Sequence, residues 1–309
     1  RGVGKVRFHV KQFGFGGADD TPLAREIATA SARLAAIQAA SVQKPSSTRI
    51  FTVSNQKGGV GKTTTSVNLA AALAQKGLNV LVIDLDPQGN ASTALGIEHH
   101  SGVTGIYEVL TLGTPLVKEI RKSPVMNNLY CVPASINLAA AELEMIENFT
   151  DSVSRSNRLR DAIQGFLSAA PVKPDYIFID CPPSLGVLTV NSFTAATEVL
   201  VPIQCEYYAL EGLSQLQENI KRIQQGLNSS LKFSTILLTM YDSRTTLSAQ
   251  VAEEVRKHFG AQTLNAVIPR SVRVSEAPSF GQPVISYDQR SAGSLSYLEA
   301  AIELANRGA

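Results

Sequence analysis

The stretch that decides the fold runs Ile50-Phe51-Thr52-Val53-Ser54 and then Asn55-Gln56-Lys57-Gly58-Gly59-Val60-Gly61-Lys62-Thr63-Thr64. The β-branched and aromatic run predicts a strand over Ile50–Ser54, and Lys62–Lys76, closed by Gly77, predicts a helix. Between them, Gly58, Gly59 and Gly61 let backbone N–H groups curl around phosphate oxygens without steric conflict. The helix after the loop presents its positive N-terminal end to the same anion. In this arrangement Val60 is carried in the cradle, and Lys62 supplies a point charge toward the β- and γ-phosphates. Thr63, with Thr64 behind it, opens the helix and offers a hydroxyl to Mg²⁺. The loop departs from the general pattern in one place: Gln56 stands where a first glycine is expected, and its neighbour Lys57 adds a second cation.

Outward from this loop, short apolar runs alternate with helical stretches. Further strands are expected at Asn79–Asp84, Leu129–Pro133, Tyr176–Asp180, Val199–Ile203, Ser234–Thr239 and Asn265–Ile268. Helices are expected at Ala139–Glu147, Ser156–Ser168, Gly186–Ala196, Leu210–Leu227, Ser248–Phe259 and Gly293–Asn306. Runs such as Val80-Leu81-Val82-Ile83 and Ile177-Phe178-Ile179 are apolar on both faces, as in a parallel sheet covered on both sides. The predicted fold is therefore α/β, with a mostly parallel twisted sheet and helices on both faces.

Two strand ends carry carboxylates. Asp84 and Asp86 close the second strand in Asp84-Leu85-Asp86-Pro87-Gln88-Gly89, and Asp180 closes the fourth, before Cys181-Pro182-Pro183. Open α/β sheets bind ligands at the carboxyl ends of their strands. An acid after a run of mostly apolar residues, as Asp180 is, suits a carboxylate that holds Mg²⁺ beside phosphates. Strand-end capping is the plainer role for any one of the three, and their joint placement argues against it.

Composition narrows the possibilities. The 309 residues with 44% hydrophobic content suffice for one large core, and no run of about 18 apolar residues suggests a membrane span. Cys131, Cys181 and Cys205 are widely separated, which fits a reduced cytoplasm and points to neither a disulfide framework nor a cysteine metal site. The net charge is +2, yet residues 1–49 carry +5, leaving −3 for the rest. Any basic surface on the main domain must then be a local patch. Residues 1–17 are glycine-rich and basic and are expected to be disordered. Thr21–Ala40 reads as a modest amphipathic helix, with Leu23, Ile27, Ala30, Leu34 and Ile37 on one face, docked or free. The organisation expected is a basic, flexible extension over 1–48 and a nucleotide-binding domain over 49–309.

With its extra Lys57, the loop resembles that of the deviant Walker-A ATPases, the P-loop NTPase family of ParA, MinD and the nitrogenase iron protein. From Arg49 to Asn306 the chain most specifically resembles chromosomal, Soj-type ParA partition ATPases. The stretches that carry this are Asp84–Ser92, Asp180–Gly186, Gln204–Leu213, Leu238–Asp242 and Ile268–Arg273. The resemblance implies a weak, partner-stimulated ATPase using ATP and Mg²⁺. Lys57 would reach across a homodimer to the partner's nucleotide, Asp86 would lie near the γ-phosphate and attacking water, and Asp84 near the metal held by Thr63 and Asp180. Met240 and Pro269 would border the adenine.

The same resemblance implies sequence-independent binding of double-stranded DNA through Arg244 and Arg273, with Arg270 close by, and a ParB-type partner that triggers release. Planar guanidinium forks suit phosphate oxygens. Lys221 and Arg222 form another basic pair, and no recognition helix is apparent. Tyr207 and Tyr208 are expected to pack rather than stack on bases. The setting implied is cytoplasmic and nucleoid-associated, in chromosome or plasmid segregation. The alternative is a MinD-like membrane-cycling ATPase. An iron–sulfur ATPase would need a second suitably placed cysteine, and a non-hydrolysing scaffold would not need Asp86.

Overall fold

The computed structural model describes residues 21–307, so the basic run 1–17 lies outside the described residues. In chain order these form α1 (Pro22–Ala39), β1 (Arg49–Val53), α2 (Lys62–Gln75), β2 (Val80–Asp84), α3 (Asn90–Ala94), α4 (Ile106–Thr111) and α5 (Leu116–Glu119). Next come β3 (Arg121–Lys122), β4 (Leu129–Val132), α6 (Leu138–Asn148), α7 (Ser152–Ser156), α8 (Arg158–Ala169), β5 (Tyr176–Asp180), α9 (Val187–Ala195) and β6 (Glu198–Gln204). The chain continues through α10 (Ala209–Gly226), β7 (Lys232–Tyr241), α11 (Thr246–Phe259), β8 (Thr263–Pro269), α12 (Val272–Glu276), α13 (Val284–Tyr287) and α14 (Ala292–Asn306).

The eight strands form one sheet in the order β3-β4-β2-β5-β1-β6-β7-β8, parallel throughout except for the β3–β4 pair. All seven strands expected from the sequence are present within two residues of their predicted ends. The short edge strand β3 and the brief helices α3, α4, α5, α7, α12 and α13 were not foreseen, because elements of two to six residues are too short to show a period. The helix expected over Ser156–Ser168 is α8, and the unforeseen α7 precedes it across Asn157, with Asp151 capping α7 through the Val153 and Ser154 N–H groups at 3.3 and 2.8 Å.

Alternation along the central strands divides the core in two. Phe51, Val53, Val80, Val82, Tyr176 and Phe178 face the layer of α2 and α14. Ile50, Leu81, Ile83, Ile177 and Ile179 face the layer of α4, α6, α8, α9, α10 and α11. Phe178 stacks between Phe51 at 5.4 Å and Tyr176 at 6.3 Å between ring centroids. At the amino ends of the strands, Arg49 forks onto Glu198 at 2.7 and 2.8 Å, lies over the Phe51 ring and donates to the Leu304 carbonyl. The guanidinium is thereby satisfied where it is largely buried, and it ties α14 to the sheet.

Helix α1 docks on this body. Ile37 is buried, Ala30 and Leu34 pack beside it, and Arg33 forks onto Glu299 of α14 at 2.8 and 2.7 Å. Lys76 at the end of α2 donates to the carbonyls of Ile37 and Ala40, closing the helix C-terminus. Among the described residues no helix is long and apolar enough to cross a membrane.

Candidate nucleotide-binding site

The phosphate loop leaves the carboxyl end of β1, the strand flanked by β5 on one side and β6 on the other, where an open sheet forms its ligand crevice. Gly59 and Gly61 have φ of 74° and 90°, a left-handed geometry in which a side chain would be strained. Gly61 serves as the N-cap of α2, so the N–H groups of the first turn open into the loop. Asn55 braces the entry, accepting from the Lys57 N–H at 3.0 Å and donating to the Pro202 carbonyl at 2.9 Å. Thr239, at the end of β7, braces the exit by donating to the Val60 carbonyl at 2.9 Å.

The two lysines differ in setting. Lys62 is buried and folds back to donate to the Lys57 carbonyl at 3.0 Å. Burial lowers its pKa, while the charges of Asp180 and Asp86 oppose that shift. Lys57 lies on the exposed side of the loop, ion-paired with Glu206 of the turn after β6.

The three carboxylates lie close together, with the Asp86 N–H 3.3 Å from Asp84 Oδ1. Asp84 and Asp180 are register partners at the ends of β2 and β5. Ser66 of α2 donates to Asp180 Oδ1 at 2.9 Å, whereas Oδ2 is buried without a partner. Burial, then the neighbouring Asp84 charge, pushes Asp180 up to about 8, against the pull of the nearby Thr63 and Ser66 hydroxyls. Asp84 accepts from the Ser92 N–H at 2.7 Å and the Ser92 hydroxyl at 2.6 Å, and burial raises it to about 6. Asp86 is half-buried in the turn after β2 and accepts from the Gln88 N–H at 3.0 Å.

An orphaned carboxylate oxygen beside a threonine hydroxyl fits a divalent cation that keeps several waters, as Mg²⁺ does. Among the described residues no group of three or more His, Cys, Asp or Glu side chains is assembled to bind a metal by itself. Cys181 is buried against the hydroxyls of Thr52 and Ser192, and burial pushes its thiol up to about 12.

Met240 and Pro269 stand at the carboxyl ends of β7 and β8, the edge of the same crevice. Met240 has a φ of 51°, and the Arg270 N–H reaches the Tyr241 carbonyl at 3.1 Å. Arg244 and Arg270 follow these two strand ends and Arg273 begins α12, so all three are exposed on one rim. Arg244 forks onto Asp242 at 2.9 and 2.8 Å, and Arg273 lies 3.3 Å from Glu276 and 3.5 Å from Asp288. Lys221 and Arg222 lie apart from this rim, on the surface of α10. The expectation that Tyr207 and Tyr208 pack into the protein fails: both are exposed, at 79% and 67%, and touch each other edge-to-face at 5.2 Å. They sit in a turn rather than a regular element, so the rule that adjacent side chains diverge does not apply. Ser66, Ser92, Glu206 and Thr239 are supporting residues to which the sequence assigned no role; a serine eight residues after Asp84 gives no local signal of that contact.

Parallel sheet, two-lysine loop and paired strand-end carboxylates define a P-loop ATPase of the deviant Walker-A type. A family model described as an AAA domain matches residues 48–233. The chain is 49% identical over 260 residues to the sporulation initiation inhibitor protein Soj of Bacillus subtilis, covering 84% of this chain and 99% of that protein. It is 50% identical over 259 residues to the chromosome partitioning protein ParA of Caulobacter vibrioides, covering 84% and 94%. The chain belongs to the ParA/Soj family of chromosome-partitioning ATPases.

A solved structure of cobyrinic acid a,c-diamide synthase from Mycobacterium smegmatis with bound ADP and magnesium superposes with a TM-score of 0.65 at 36% identity, covering 79% of this chain and 92% of that one. MinD from Pyrococcus horikoshii, complexed with Mg-ADP, shares the fold, with a TM-score of 0.66 at 24% identity, covering 82% and 95%.

Proposed function

We propose that this ATPase is a nucleotide switch for DNA: its ATP-bound homodimer binds double-stranded DNA without sequence preference and is released when a ParB-type partner stimulates hydrolysis. ATP would lie along the loop Lys57–Thr64, with its base toward Met240 and Pro269. Thr63 and Asp180 would hold Mg²⁺, with Asp84 close behind. Bound there, Mg²⁺ supplies charge neutralisation between phosphate oxygens.

The chain's own groups do the rest. Loop N–H groups and Lys62 hold the phosphates, and Asp86 orients water at the edge of the crevice. Lys57 offers its charge to the partner's nucleotide once it leaves Glu206. The arginines 244, 270 and 273 would exchange their intramolecular acids for DNA phosphates, placing the protein on the nucleoid. Residues 1–48 would be an extension docked through α1, and 49–309 the ATPase domain.

The observation that carries this reading is that the phosphate loop and the arginine rim share one end of one sheet. The test is binding to random-sequence duplex DNA with ATP, ADP or no nucleotide, at two salt concentrations. ATP-dependent binding that weakens steeply with salt is expected, and equal binding in all nucleotide states would sink the switch.

A further inference from the structure

Thr239 stands where three parts of the site meet. It is buried at the end of the apolar run Ile236-Leu237-Leu238, a place where a hydroxyl must find a partner. Its Oγ1 donates to the Val60 carbonyl, 179 residues earlier in the phosphate loop, at 2.9 Å. Its carbonyl accepts from the Cys205 N–H at 3.2 Å, and the next residue, Glu206, is the one that holds Lys57. Its methyl group comes within 3.9 Å of the position a Cβ on Gly61 would occupy.

The residues after Thr239 are equally constrained. Met240 has a φ of 51° and is the one non-glycine residue among those described with a positive φ. An L side chain keeps that geometry only where its surroundings impose it. Tyr241 then accepts from the Arg270 N–H, and Asp242 holds Arg244 through a two-point fork. From Val60 to Arg244 the connection is therefore one hydrogen bond, the end of β7 and a turn, held at Thr239, Tyr241, Asp242 and Arg244.

We infer that Thr239 is a positioning residue that couples occupancy of the phosphate loop to the arginine-bearing rim. Phosphates settling on the loop N–H groups move the Val60 carbonyl. Thr239 passes that movement to the Met240 kink, and the kink resets Arg244 and Arg270. This inference rests on the nucleotide-switched reading and names how the switch is transmitted. A coupling of this kind is reciprocal, so DNA would tighten ATP binding by the same factor.

The test uses the full chain, Thr239→Val, which keeps the shape and removes the hydroxyl, and Thr239→Ser, which keeps the hydroxyl. In the wild type, the ratio of DNA dissociation constants without nucleotide and with ATP reports the coupling. One hydrogen bond's worth of coupling is about tenfold, so Thr239→Val should lose about that much of the ratio, with ATP affinity measured separately without DNA. Thr239→Ser should keep it.

A Thr239→Val protein with the wild-type ratio would overturn the inference, as would equal losses in both variants. Hydrogen exchange on the wild type without DNA gives a measure that needs no variant. Adding ATP and Mg²⁺ should change protection at residues 241–245, and unchanged exchange there overturns the coupling. Wild-type DNA binding that ignores nucleotide would instead overturn the switch itself, so the two failures are distinguishable.

Discussion

Asp84 and Asp180 stand opposite each other at the ends of adjacent parallel strands, both fully buried, and only Asp84 has both oxygens hydrogen-bonded within the protein. The free oxygen of Asp180 is thus the place where a cation would replace the water lost on folding. Asp180→Asn should keep the fold, because the amide oxygen can still accept from Ser66. It should lose the stabilisation that ATP confers with Mg²⁺ present, about 2.7 kcal/mol at a hundredfold excess over Kd in the wild type. Thermal melts with ATP, with and without Mg²⁺, check this, and a wild-type shift in the variant would count against a metal at this oxygen.

Lys57 is held by Glu206 within the same chain, so its charge is engaged before any partner arrives. Lys57→Ala should retain ATP binding and lose hydrolysis by about 10²- to 10³-fold, the usual cost of removing one charge-stabilising donor. It should also lose DNA association. Glu206→Gln should raise basal hydrolysis, since the lysine no longer has to leave a carboxylate to reach the partner's phosphates. Steady-state rates alongside equilibrium nucleotide binding separate the two effects.

Asp242 is held down to about 2, first by the side-chain hydrogen bond from Arg244 and then by the Arg244 N–H. A carboxyl lowered in the folded state favours folding above the ordinary carboxylate range, and that contribution is lost as pH falls toward about 2. In Arg244→Ala the Asp242 midpoint should rise toward about 3.9, as read by carbon-detected NMR titration. Saturating DNA should push it the same way, because phosphates then compete for the guanidinium.

The stacked ring Phe51 and the docking residue Arg33 should differ in cost. Phe51 is fully buried between the sheet and α2, and Phe51→Ala should destabilise by about 3–5 kcal/mol. Arg33 is about one-third exposed, so Arg33→Ala should cost only about 1 kcal/mol and loosen α1 without changing ATP hydrolysis. Denaturant titration and proteolysis near residue 40 measure the two.

The sequence alone determined what is local. Strand, glycine loop and helix are contiguous from Ile50 to Lys76, so the phosphate cradle could be read from residue order, and two-sided apolar runs announced the parallel sheet. It also supplied the residue types for the rest of the site, since Asp84, Asp86, Asp180 and the rim arginines all follow recognisable strand ends. Tertiary structure alone decided which of these meet. That Asp180 faces Asp84, that Ser92 closes over Asp84, that Glu206 holds Lys57 and that Thr239 braces Val60 all depend on strand order and register. Periodicity along a chain reports which face a residue occupies, whereas the neighbour across that face is set by how the whole sheet assembles.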